Sequence, residues 1–143
     1  MRTLSGSCLI LALLALLTGC NGEERNAIRF DYAGTMMDTC AETDIGFHPD
    51  AADLTGAAVS ILFETIDKVA AECEGASIDI VAYAAERGDE IAYMRTATVE
   101  NTIVSNYDIS DSRISKDVAP PPSEDLVGYV SVSLMVEVPV EEE

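Results

Sequence analysis

The sequence predicts an α+β domain with two helices packed on one face of a small mixed β-sheet, and three stretches carry that prediction. Between Thr55 and Gly75, the apolar residues Val59, Leu62, Phe63, Ile66, Val69, Ala70 and Cys73 recur at the spacing of one helix face. Ile78-Asp79-Ile80-Val81-Ala82-Tyr83-Ala84 is a β-rich run, too apolar on both parities for an edge facing water, and reads as a central strand. From Val127 to Val138, Val130, Val132, Leu134, Val136 and Val138 alternate with Ser131, Ser133, Met135 and Glu137, the period-2 signature of a half-buried strand. At 143 residues, 48% hydrophobic, with a mean hydropathy of +0.18, the chain has the length of one domain and is too apolar to be wholly disordered. That argues against a multidomain enzyme.

In chain order, residues 1–19 read as a secretory signal: a cation at Arg2, an apolar run from Leu9 to Leu17 too short to span a bilayer as a helix, then small residues. Leu17-Thr18-Gly19-Cys20 resembles the bacterial lipobox, which implies that the Cys20 thiol receives a diacylglycerol and that the chain is cut just before it. By the same resemblance, Asn21 in place of Asp implies the outer membrane rather than retention at the inner one. Residues 20–39 are then the lipidated N-terminus and a linker, with the polar stretch Asn21 to Ala27 as a tether.

The folded domain is expected over 40–138. A short strand at Asp44 to Phe47 precedes the first helix, which Thr55 caps and Gly75 stops. After the central strand, a turn at Arg87-Gly88-Asp89 leads to a second helix from about Glu90 to Ser105. Its apolar positions are Ile91, Met94, Val99 and Ile103, and Thr96, Thr98 and Thr102 lower its propensity. Arg113 to Val118 is a short strand, Pro120-Pro121-Pro122 forbids regular structure, and the last strand ends the fold. Residues 139–143 form a solvated acidic tail.

Charge and composition remove several functions. Eight Lys+Arg against 26 Asp+Glu leave a net charge of −18, the wrong sign for a phosphate backbone or an anionic lipid surface, so nucleic acid is excluded as a partner and the membrane is reached through lipid alone. His48 lies before Pro49 with no nucleophile motif near it, which makes it a surface or packing residue rather than a base. Asp108-x-Ser110-x-Ser112 begins like a calcium loop, but Arg113 stands where Gly is needed and Ala119 where the bidentate carboxylate is needed. No cofactor, metal or catalytic role is expected. Of the four cysteines, Cys8 leaves with the signal and Cys20 is lipidated. Cys40 and Cys73 remain, either bonded in the oxidising periplasm or as two buried thiols; with His48 the one imidazole, zinc is disfavoured.

The order of elements and several phrases resemble the OmpA C-terminal-like domain of peptidoglycan-associated lipoproteins. Ile45-Gly46-Phe47 with Asp50, Leu54 and Thr55 resembles that family's opening strand and helix start, and Ala71 to Ile80 its passage into the central strand. Arg95, Val99 and Ile103 keep the spacing of its second helix, and Tyr107 to Ile114 is similar to its connector. The resemblance implies a β-α-β-α-β-β order and a disulfide between Cys40 and Cys73. It also implies a periplasmic domain that binds peptidoglycan without cutting it, an Asp and an Arg gripping diaminopimelate of the stem peptide. A zwitterionic side-chain end needs a carboxylate for its ammonium and a guanidinium for its carboxylate.

The sequence departs from the family at half of that clamp. Arg95 stands at the family's Arg position, but the Asp position is Ala85, Tyr83 replaces the preceding His, and the loop to Arg95 is shorter. Glu86, Asp89 and Glu90 are the nearby carboxylates that could stand in, and Arg95 itself could equally be a helix-surface arginine paired with some of the many carboxylates; if it instead holds the wall, Arg95→Ala is expected to abolish retention on wall sacculi and leave folding intact. Two readings follow. One is an outer-membrane lipoprotein whose domain holds the wall through Arg95, Glu86 and Asp89 around Ala85. The other is the same fold without its wall site, presenting an acidic surface lined by Tyr83 and Tyr93 to a basic envelope protein.

Overall fold

The computed structural model describes residues 29–30 and 36–138. The predicted signal peptide, the lipidation site Cys20, most of the linker and the acidic tail lie outside the described residues. The elements in order are β1 (Arg29–Phe30), β2 (Met36–Ile45), α1 (Gly56–Ala71), β3 (Ser77–Tyr83), α2 (Glu90–Asn106), β4 (Ile114–Ala119) and β5 (Val130–Val138), with single 3-10 turns at Asp111–Arg113 and Glu124–Leu126. The strands form one sheet in the order β1-β2-β5-β3-β4. The β3–β4 pair is parallel, as a helical crossover through α2 allows, and the other pairs are antiparallel. The expected α+β architecture is the one observed.

Both helices cover the same face of the sheet. The core between them is built from Ile45, Ile78, Ile80, Ala82, Val130, Val132 and Leu134 on the strands, from Ala58, Leu62 and Ile66 on α1, and from Ala92, Val99 and Ile103 on α2, each at most 4% exposed. Thr55 caps α1 as expected, its side chain accepting from the Ala58 amide at 3.1 Å. Gly75, with φ of 77°, makes the left-handed turn that leads from α1 toward β3. Asp89 caps α2 by accepting from the amides of Ile91 and Ala92. Behind α1, Tyr107 packs edge-on against Phe63 at 5.5 Å and donates its hydroxyl to Asp67 at 2.9 Å.

Three details differ from the sequence reading. The first strand is not a short piece at Asp44 to Phe47: β2 begins at Met36, within the stretch assigned to the linker, and ends at Ile45. Its register shifts between Thr39 and Ala41, so Cys40 is the extra residue of a bulge, and the alternation that identifies a strand is broken there. The buried face of α2 is Ala92, Arg95, Thr96, Val99 and Ile103, whereas Met94 is 58% exposed. Finally, β5 is buried on both faces at Ser131 and Met135, because as the middle strand it is roofed by side chains of its neighbours: Ser131 donates to Glu42, and Met135 accepts from Thr39.

The bulge has a purpose in the covalent structure. It places Cys40 opposite the end of α1, where it is bonded to Cys73, with the two Cα atoms 6.0 Å apart. The pairing expected from the resemblance is therefore the one present.

Candidate functional site

One end of the sheet gathers the C-terminal ends of β2 and β3 and the N-terminal end of β5, together with the N-terminus of α2. Between them lies a cavity of about 290 Å³, lined by Phe47, Pro49, Asp50, Asp89, Ile91, Arg95, Val127, Gly128 and Tyr129. Its floor is Arg95, placed on the inner face of α2 one turn before Val99 and only 8% exposed. The guanidinium binds three backbone carbonyls: Nε donates to Ala51 at 2.8 Å, Nη2 to His48 at 3.0 Å and Nη1 to Gly128 at 3.1 Å. It also lies 5.1 Å above the Phe47 ring centroid, a cation–π arrangement.

Arg95 is thus not the helix-surface arginine that the sequence also allowed. A buried cation must be compensated, and here the carbonyls of two separate loops do so. The loop after β2 and the turn before β5 are both drawn onto α2 by this one side chain. Gly128 has φ of 87°, and a Cβ there would stand 3.3 Å from Nη1, so the close approach of the turn needs glycine. Gly46 serves a similar end beneath Tyr129, whose ring carbon would be 3.2 Å from an added Cβ.

The structure brings two of the sequence candidates, Arg95 and Asp89, to one cavity. Glu86 and Ala85 are exposed in the turn between β3 and α2 and do not line it. Ala85 follows the end of β3, and nothing at that position supplies a carboxylate. The carboxylate that sequence reasoning missed is Asp50, which enters from the opposite loop. Tyr83 and Tyr93 do not form one surface: Tyr83 shares the helix-free face of the sheet with Asp79 and Val81, whereas Tyr93 is 54% exposed on α2, in the layer on the other face. Among the described residues no group of three His, Cys, Asp or Glu could hold a metal ion, and no helix is long and apolar enough to cross a membrane.

Comparison with solved structures bears on the fold. Two crystal structures of the periplasmic domain of Helicobacter pylori MotB are similar to this chain. One has a TM-score of 0.50 at 10% sequence identity, covering 71% of this chain and 81% of that one. The other has a TM-score of 0.49 at 9% identity, with 75% and 82% covered. At such identity the likeness speaks to the fold alone, on the strength of the first: the fold is OmpA-like. No family model matches the sequence, and no curated protein matches it.

Proposed function

We propose that the chain is an outer-membrane lipoprotein, anchored through Cys20, whose OmpA-like domain holds peptidoglycan noncovalently and ties the outer membrane to the cell wall. The observation that carries this reading is the cavity over Arg95. A guanidinium has five N–H groups, and three are used by carbonyls, which leaves one on each Nη for a carboxylate. Carboxylates line the same cavity, so both ends of a zwitterion such as the side-chain terminus of diaminopimelate find a complement there. About 290 Å³ lies at the lower end of small-molecule sites and suits one amino-acid head group rather than a whole peptide.

The test is retention of the full-length lipoprotein, in detergent, on isolated wall sacculi, and its release by a free stem peptide containing diaminopimelate. Retention that the peptide displaces supports the reading. No retention, and no response to millimolar peptide, overturns it.

A second reading rests on the helix-free face of the sheet. By register this face carries Glu42 and Asp44 on β2, Asp79 on β3, Asp117 on β4 and Glu137 on β5, and among these four strands no Lys or Arg shares it; Arg29 of β1 pairs with Met37 at its far edge. Such a face suits a basic envelope protein, and binding through it weakens as salt rises. A partner that co-purifies from detergent extract and stays bound at high salt counts against it.

A further inference from the structure

The loop that Arg95 holds down presents a carboxylate with no work inside the fold. His48, Pro49, Asp50 and Ala51 form a turn closed by the Ala51 amide donating to the His48 carbonyl at 3.2 Å. Pro49 and Asp50 occupy its two central positions, and Asp50 has φ of 57°, a value taken by no other non-glycine among the described residues. That second central position favours Gly or Asn and also admits Asp, so the turn fixes the backbone at Asp50 and leaves its carboxylate outside the turn's own bonding. Arg95 binds the carbonyls on both sides of it, His48 through Nη2 and Ala51 through Nε. The turn is pinned at two points, and the side chain between them lines the cavity.

The two aspartates of the cavity differ in what they are free to do. Asp89 accepts from two amides as the cap of α2, so its charge already serves the helix N-terminus. Asp50 is exposed and accepts no hydrogen bond from another described residue. The aromatic rings of Phe47 and Tyr129 line the same cavity and are suited to the alkyl stem of an amine.

We propose that Asp50 is the ammonium-binding carboxylate of this cavity, with Arg95 as the positioning residue that aims it, so that the site takes a primary alkyl ammonium. This rests on the wall-binding reading for the identity of the ligand but not for its charge. The carboxylate missing at Ala85 on the β3 side is thereby supplied from the loop after β2.

The test uses the full-length protein in detergent micelles and amide chemical shifts, with three probes. They are Nα-acetyl-lysine N-methylamide, which offers an ammonium and no carboxylate; its Nε-acetylated form; and a diaminopimelate stem peptide. The charged amine is expected to shift residues 47–51 and 89–91, and the acetylated one is not. Asp50→Asn keeps a residue that tolerates the left-handed turn and is expected to weaken binding of the amine at least tenfold. Glu64→Gln, which removes the same charge from an exposed position on α1, leaves binding as it was. Equal binding of the amine by Asp50→Asn, or its loss on Asp89→Asn instead, overturns the proposal. If the stem peptide binds Asp50→Asn as it binds the parent, the role of Asp50 falls and wall binding stands. If the amine binds at Asp50 and the stem peptide does not bind, the reverse holds; if neither binds, both fall.

Discussion

Arg95 shows how a single side chain can be placed correctly by sequence and misjudged in its surroundings. Its position on the second helix is legible from the spacing to Val99 and Ile103, but a charged residue is discounted when a buried helix face is drawn, and Met94 takes its place in the pattern. The face that folds inward contains the arginine because backbone carbonyls, which leave no mark in a sequence, supply its compensation. Arg95→Ala is therefore expected to strand the carbonyls of Ala51 and Gly128, to leave that of His48 with the Ala51 amide alone, and to cost about 3 kcal/mol, read as a fall in the urea midpoint. Gly128→Ala meets both the left-handed φ and the Nη1 atom, whereas Gly75→Ala meets the φ alone. The first should cost about 1–3 kcal/mol and exceed the second in the same measurement. Asp50 was missed for a different reason: replacements for the absent family carboxylate were sought next to it in sequence, and the loop that provides one lies 35 residues earlier, as the difference from Ala85 to Asp50 gives.

At the scale of elements, α1, β3, α2, β4 and β5 were all legible: α1, α2 and β5 from their periodicity, β3 from an unbroken β-rich run and β4 from the proline run that follows it. The strand β2 was legible only at its last residues. A bulge at Cys40 inverts the parity halfway along it, so no single alternation runs from Met36 to Ile45. The connector after α2 offers a pH test of how the layers are joined. Burial, then the hydrogen bond to Asp67 and its charge, push the Tyr107 phenol from 10.0 up to about 12. The unfolded chain therefore loses this proton first, so the contribution of Tyr107 is fully present below pH 10 and is lost as pH rises through 12. Tyr107→Phe should remove that component of the alkaline loss, seen by comparing denaturant midpoints of the two proteins across this window.

For the whole molecule, the disulfide is the one cross-link among the described residues, and it ties the β2–β5 ladder to the chain just beyond α1. It closes a loop with a sequence separation of 33, and the chain-entropy model gives about 3–4 kcal/mol for it. Reduction is expected to lower the denaturant midpoint accordingly while the cavity, at the other end of β2, keeps its shape and its response to ligand. The directions of the two long strands have a mechanical consequence. Met36 pairs with Val138 at one end of the ladder and Ile45 with Val130 at the other, next to Phe47 and the cavity. On the proposed wall-binding reading, a load applied where β2 begins and resisted at the cavity would run lengthwise along β2. Its hydrogen bonds to β5 are then strained together in shear rather than peeled one at a time, and the Cys40–Cys73 bridge diverts part of the load into α1. A chain fixed at both of those points is built as a strap.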